Sequence, residues 1–321
     1  MRARQGRYEE AERSCLTVIA AAEEAGEDRA LAHACWVLDI SLVRAGRPLE
    51  AVHSPRAIEI YDRLGDTENL ARVLSNLGTI EAAAGRWDRA IVLYEEAAEH
   101  ATRAGDVTSA AYGDCNIGET PSDQGRFEEA EPRLRRALQI WDGSGDEQGS
   151  AYVRTLLGRL AVRIGEAEKG RKRLEGALAD LVRLRCEFDA AFARLCLAEA
   201  AVAAGQPTEA LRIVADLDGD VEESPLLPRT RAMALAALGD GVHAREAFAE
   251  SLTRARDAGS AFDTAAALDG LAALAGDGDG AAELRAERDD LLGRLGVWRL
   301  PPPRGEPAAA EPVRAETRPG G

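Results

Sequence analysis

The chain has 321 residues, of which 45% are hydrophobic and 4% aromatic, and its formal net charge is −16. A field of that sign repels a phosphate backbone, which argues against direct binding of nucleic acid. The apolar stretch CLTVIAAA is far shorter than a membrane-spanning helix, so no membrane segment is expected. Five cysteines without a CxxC motif indicate buried thiols in a reducing cytoplasm rather than a disulfide framework.

The first predicted helix covers residues 7–25. Its apolar face carries Tyr8, Ala11, Cys15, Val18 and Ile19. If the repeat described below is phased on Ala11, about thirteen residues of a preceding helix are expected upstream of Met1. Because solenoid ends are normally capped by a polar face, this helix is predicted to lack its partner. We interpret the chain as the C-terminal part of a longer polypeptide or ancestor, with an exposed helix available for self-association.

Two interleaved series of glycines follow along the chain. The first series is Gly6, Gly46, Gly85, Gly125, Gly165, Gly205, Gly239 and Gly276, mostly 39 or 40 residues apart. The second series is Gly26, Gly65, Gly105, Gly145, Gly259 and Gly296, with Arg185 where one more glycine is expected. An alanine or glycine stands five residues after every member of the first series. This regularity predicts about seven pairs of helices, each helix ended by a residue with positive φ.

The unit at residues 66–105 shows the pattern of one pair. Its apolar residues recur every three or four positions, which is the helical period. An aspartate that can cap the next helix follows the second glycine in three units, at Asp66, Asp106 and Asp146. Small residues are expected where the two helices of a pair cross closely. In the first helix these are Gly78, Gly118, Gly158, Ala198 and Ala232.

Several positions depart from the pattern. Pro121 lies within a predicted first helix and is expected to break it near residues 119–124. Pro55 falls inside the second helix of its unit, and Asp39 and Asp269 occupy small crossing positions. Residues 216–228 shorten one unit and are predicted to form a looser joint. The Pro- and Ala-rich tail at residues 299–321 has little to bury and is predicted to be disordered.

These residues resemble the tetratricopeptide repeat (TPR) family. Leu77-Gly78 followed by Ala90, Tyr94 and Ala97 matches that family's L-G … A-x3-F-x2-A spacing. The resemblance covers roughly residues 1–296, but the 40-residue period is longer than the usual repeat. In this respect the chain resembles kinesin light chains and the C-terminal sensor arms of bacterial regulatory ATPases. The resemblance implies an all-α fold, a right-handed superhelical solenoid of antiparallel helix pairs over residues 1–298, with a leading half-repeat at 1–26.

The same resemblance implies a binding function in a concave groove lined by the first helices. The candidate groove residues are Tyr112, Tyr152, Phe192, Arg159, Arg163, Arg72 and Thr155. Three aromatic residues at 40-residue steps form one row that could stack on a peptide, or they could simply pack on the preceding helix. The arginines suit the carboxylates of a partner, because a guanidinium binds carboxylate with two parallel hydrogen bonds.

No catalytic or metal-binding pattern accompanies the repeat. The four histidines are scattered, no phosphate-binding loop occurs, and the two acidic loops lack the calcium-loop spacing. The sequence therefore predicts no enzyme activity and no cofactor, but a protein- or peptide-binding scaffold of a bacterial signalling protein. The bacterial source is inferred from the basic residues, of which all but two are arginine. The alternatives are a fragment of an ATPase-type transcriptional regulator or nucleotide cyclase, an enzyme with an unrecognised site, and a purely structural scaffold.

Overall fold

A computed structural model describes residues 2–45, 47, 50–217, 224–278, 280–298 and 300. All the regular secondary structure in these ranges is helical. The fifteen helices are α1 (Arg2–Ala25), α2 (Asp28–Arg44), α3 (Ser54–Leu64), α4 (Thr67–Ala83), α5 (Trp87–Arg103), α6 (Val107–Gln124), α7 (Phe127–Ser144), α8 (Glu147–Ile164), α9 (Ala167–Arg183), α10 (Glu187–Ala203), α11 (Pro207–Ala215), α12 (Leu226–Ala237), α13 (Gly241–Asp257), α14 (Ala261–Ala275) and α15 (Ala281–Leu295). The predicted all-α fold of a helical-repeat protein is confirmed.

Helix ends follow the predicted chemistry. The carboxylates of Asp66, Asp106 and Asp146 accept a hydrogen bond from the main-chain N–H three residues later, at the starts of α4, α6 and α8. The glycines of both series that lie in the described ranges have positive φ, with the exception of Gly6. The turn predicted at Gly6 is wrong, because α1 runs through it from Arg2 to Ala25. Arg185, which replaces a glycine of the second series, is the only described residue other than glycine with positive φ, at 59°. The repeat therefore imposes the backbone turn even where the residue type disfavours it.

Close crossing of the paired helices explains the small residues. A Cβ added at Gly118 of α6 would lie 2.9 Å from the side chain of Leu134 and 3.3 Å from the carbonyl oxygen of Ala130, both on α7. Ala130 is completely buried. Such a contact leaves no room for a side chain, so glycine and alanine at these two positions set the distance between the helices.

Two departures from the pattern are resolved by local chemistry. The expectation that Pro121 breaks its helix is wrong, because α6 runs without interruption to Gln124. Pro121 lies in the last turn, where its ring removes only one main-chain donor, and its own carbonyl still accepts from Arg126 N at 2.8 Å. Pro55 lies in the first turn of α3, where a missing N–H costs little. Residues 218–223 of the joint at 216–228 lie outside the described residues, as does the tail at 299–321 apart from Leu300.

Asp39 occupies a crossing position because it caps a neighbouring helix. Its buried carboxylate accepts from the main-chain N–H groups of His53 and Ser54, at 2.9 and 2.6 Å, and from the Ser54 hydroxyl at 2.6 Å. These groups form the start of α3, where an anion is favoured. The charge is therefore satisfied by a helix N-terminus rather than by water.

The even-numbered helices, α2 to α14, form what we call the inner layer. Each of them packs on its own partner helix and also contacts the next even-numbered helix. Every first helix of a pair therefore lies on the same side of the array. This side carries the residues that the resemblance assigns to the groove.

The end of the array packs back against its second and third helix pairs. The ring of Trp87, at the start of α5, lies 5.9 Å from that of Phe262 in α14. The side chain of Leu295 lies 2.9 Å from the place that a Cβ on Gly85 would occupy. Trp87, Phe262 and Leu295 are all buried and form one apolar cluster. The array is therefore closed by a contact between residues almost two hundred positions apart in sequence.

Candidate functional site

Three aromatic side chains project from equivalent positions of α6, α8 and α10. We call Tyr112, Tyr152 and Phe192 the aromatic row. Tyr112 is 41% exposed, and its ring meets the indole of Trp141 edge-on with 4.7 Å between centroids. The rings of Tyr152 and Phe192 lie 6.4 Å apart and are partly exposed. The structure thus brings the last two members together and leaves the first as the most accessible.

The aromatic row also contributes to packing. Tyr152 packs against the apolar cluster that contains Trp141 and Leu157, and burial raises the pKa of its hydroxyl well above the usual value. Phe192 packs against three clusters of buried residues. The sequence left open whether these rings face a ligand or the core. In the structure, the rings of Tyr152 and Phe192 contact the core and remain partly exposed to solvent. Whether a ligand uses that surface stays a prediction.

Two of the three predicted groove arginines, Arg159 and Arg163, form ion pairs with neighbouring inner-layer helices. Arg159 Nε lies 3.0 Å from Glu199 Oε2, and its guanidinium stands 5.7 Å from the centre of the Phe192 ring. Arg163 Nη1 lies 2.6 Å from Asp123 Oδ1, and the same nitrogen donates to the Ser122 hydroxyl at 2.9 Å. A partner carboxylate would have to exchange with these internal partners.

The ion pairs continue along the inner layer through a residue that sequence reasoning missed. Arg229 of α12 is 5% exposed, and its guanidinium lies 2.7 Å from Asp263 of α14 and 3.6 Å from Glu199 of α10. Together with the pairs of Arg159 and Arg163, these contacts join α6, α8, α10, α12 and α14; we call them the ion-pair relay. An arginine on an otherwise apolar helix face was the signal available in the sequence.

Glu119 is the one carboxylate beside the relay that has no partner. It lines a small pocket with Asp123, Arg159 and Arg163, yet no hydrogen bond or ion pair to it is found among the described residues. Burial, with a contribution from the charge of Asp123, raises its pKa from 4.5 to about 7, against the opposing effect of both arginines. Its charge state therefore changes close to neutral pH.

The remaining predicted groove residues have different surroundings. Arg72 is exposed and pairs with Glu68 at 2.6 Å, one turn earlier on α4. It lines a pocket that also contains Tyr112 and Trp36, a partly buried aromatic residue of α2 that sequence reasoning missed. Thr155 is completely buried and its hydroxyl donates to the Ala151 carbonyl at 3.1 Å, so it presents no surface to a ligand.

Chemistry other than binding finds little support in the described residues. No group of three or more histidine, cysteine or acidic side chains there could hold a metal ion. Four of the five cysteines are buried, and burial raises the pKa of the Cys196 thiol to about 12, so this thiol stays protonated at neutral pH. No helix within the described ranges is both long enough and apolar enough to span a membrane.

Comparison with protein families bears on the helix pair formed by α4 and α5. Residues 70–103, which include most of both helices, match the family described as "Tetratricopeptide repeat". The chain contains a tetratricopeptide repeat. The matched TPR includes the Leu77-Gly78 and Tyr94 positions that carry the resemblance, and a Cβ added at Gly78 would lie 2.6 Å from the Tyr94 ring. No curated protein matches the sequence.

Three solved structures were compared with the chain, all at low sequence identity. The Rap protein complexed with Competence and Sporulation Factor superposes with a TM-score of 0.65 at 16% identity, covering 84% of this chain and 76% of that one. BtubC (BKLC) from P. vanneervenii gives 0.49 at 20% identity, covering 78% and 91%. A circular tandem repeat protein gives 0.31 at 16% identity, covering 91% and 82%. The first of these likenesses shows that the TPR chain shares the helical-repeat fold of the Rap protein.

Proposed function

We propose that this chain is a binding scaffold whose concave side holds an extended segment of a protein or peptide. The observation that carries the proposal is the aromatic row on the inner layer. Aromatic side chains bury large areas at a low cost in conformational entropy, which is why they are enriched among the residues that dominate interface energies. Tyr112 offers the most accessible of these surfaces, and the pocket that it shares with Trp36 extends the surface to α2.

The charge around the row adds a preference for the partner. The relay arginines are already paired, whereas Glu119 is not, so the floor near α6 has an unmatched carboxylate. A cationic group of the partner would therefore gain most binding free energy beside Glu119. The structure of the Rap protein in complex with its factor supports the proposal to this extent: an array of this fold can hold a bound factor.

We further propose that the chain is a regulatory or sensor region of a cytoplasmic bacterial signalling protein. It is supported by the long repeat period and by the preference for arginine over lysine. The related alternative, part of an ATPase-type transcriptional regulator or nucleotide cyclase, has the same support. In either case the chain contributes recognition rather than catalysis.

The proposal is tested by comparing exposed positions on opposite sides of the array. The full chain is used to recover a partner from a bacterial extract, and the affinity of that partner is then measured for Tyr112→Ala. Val182→Ala is the matched control, because Val182 lies on the second helix α9 and is 49% exposed. We expect a loss of affinity of tenfold or more for Tyr112→Ala only. Equal affinities in two variants with the parental melting temperature would place the binding surface elsewhere.

A further inference from the structure

The last described residues of the chain turn back across the array. The main-chain N–H of Trp298 donates to the carbonyl of Gln124 at 3.0 Å, and Gln124 Nε2 donates to the carbonyl of Leu295 at 3.0 Å. Gln124 is the final residue of α6, so these two bonds hold the end of α15 beside the third helix pair. We call residues 296–300, which follow α15, the C-terminal strap.

The strap reaches a pocket on the inner layer. Leu300 lines this pocket together with Met233 of α12 and Phe248 of α13. The polar side chains at the same pocket are Glu199, Arg229 and Asp269. Two of these belong to the ion-pair relay, so Leu300 lies on the same side of the array as the proposed groove, toward its C-terminal end.

Contacts weaken sharply from α15 into the strap. The Leu295 side chain is 4% exposed, whereas Val297 and Leu300 are only partly buried and Trp298 is 76% exposed. A segment with few buried apolar contacts opens at a much lower free energy than the core. The end of α15 is therefore fixed. Among the described residues of the strap, the contacts with the rest of the array are the partly buried side chains of Val297 and Leu300 and the main-chain bond from Trp298 to Gln124.

We propose that the surface around Met233 and Phe248 is a docking site for an extended segment with a leucine at its centre, and that the chain's own strap occupies it in competition with a partner. The proposal rests on the proposed function only in taking the concave side as the binding surface. In sequence, Leu300 is flanked by Arg299 and Arg304. The carboxylates of Glu199 and Asp269 at the pocket favour a basic segment over an acidic one.

The test uses the full chain and a probe taken from it. The probe is a fluorescent peptide with the sequence of residues 297–306, and its binding is followed by anisotropy. In the parent, the strap fills the site and the peptide binds weakly. In Leu300→Asp a charged side chain leaves the apolar pocket, so we expect the peptide to bind at least tenfold more tightly. A second variant, Gln124→Ala, loosens the strap without changing the pocket and should shift the affinity in the same direction.

Two controls make the outcome decisive. A peptide that carries aspartate in place of its leucine should bind none of the proteins, and each variant should melt like the parent. The proposal is overturned if the native peptide binds the parent and both variants equally, or if it binds none of them. Either result is independent of Tyr112, because the strap pocket lies on α12 to α14, so the proposed function could fail while this inference stands.

Discussion

Replacing Glu119 by glutamine should stabilise the protein at alkaline pH and leave it unchanged at acidic pH. Glu119 has no ion-pair partner among the described residues, and its pKa in the folded chain is about 7. The folded chain therefore holds a proton at this site between about pH 4.5 and 7 that the unfolded chain releases. The free energy of unfolding falls as the pH rises through that window. Above about pH 7 the stability lost by ionising Glu119 in the folded chain reaches its full value.

The size of this stabilisation follows from the raised pKa of Glu119. Raising the pKa from 4.5 to about 7, at about 1.4 kcal/mol for each tenfold change in the ionisation constant, gives an upper limit of about 3.5 kcal/mol. Because Glu119 is partly exposed, solvent screening lowers this to about 1–3 kcal/mol. Glutamine keeps the shape without the charge, so Glu119→Gln should gain this amount at pH 8 and only a small part of it at pH 5.

The assay is urea unfolding followed by circular dichroism at both pH values. Glu96→Gln is the control, because Glu96 is exposed on the second helix α5. This control should change stability little and equally at the two pH values. If Glu119→Gln is instead less stable than the parent at pH 8, then the Glu119 carboxylate forms an ion pair with Arg159 or Arg163 and the reasoning fails.

Four further predictions test the fold. Ala130→Phe forces a ring into a helix crossing and should cost about 1–3 kcal/mol or more, so a parental melting temperature would disprove the crossing. Asp39→Ala removes the acceptor at the start of α3 and should lower the free energy of unfolding by about 2 kcal/mol; an unchanged urea midpoint would refute that role. Phe262→Ala should loosen the closed array and raise its radius of gyration in small-angle scattering, whereas an unchanged radius would show that this contact does not hold the array. Amide exchange should be faster at residues 7–25 than in the other helices, because α1 packs mainly on α2; slow exchange there in a monomer would contradict this, and slow exchange only in a dimer would show self-association.

Local features of the fold could be predicted because they repeat. The crossing at Ala130, the caps at Asp66 and its equivalents and the positive-φ glycines each depend on residues within one helix pair. The expected break at Pro121 was wrong because a proline in the last turn of a helix removes only one hydrogen bond. Its position relative to the end of the helix mattered more than the residue type.

Long-range features could not be predicted from the repeat. The contact of Trp87 with Phe262 and the bonds between Gln124 and the end of α15 depend on how the small rotation per repeat accumulates along the array. By contrast, the ion pairs of Arg159 and Arg163 follow the repeat, because Glu199 and Asp123 each lie 40 residues away at the equivalent position of a neighbouring first helix. Both arginines were nevertheless predicted for a partner's carboxylates. The aromatic row was identified from its 40-residue steps, while Trp36 lies outside that register and was missed.

The most direct test of binding in the groove is site-specific photo-crosslinking. A photoreactive phenylalanine analogue replaces Tyr112 in one full chain and Val182 in another, so that one probe lies on the aromatic row and the other on the second helix α9. Each protein is irradiated with the partner recovered by the full chain. Binding in the groove predicts a crosslinked product from the Tyr112 position and none from the Val182 position. A product from the Val182 position alone would contradict the account and move the binding surface to the outer helices.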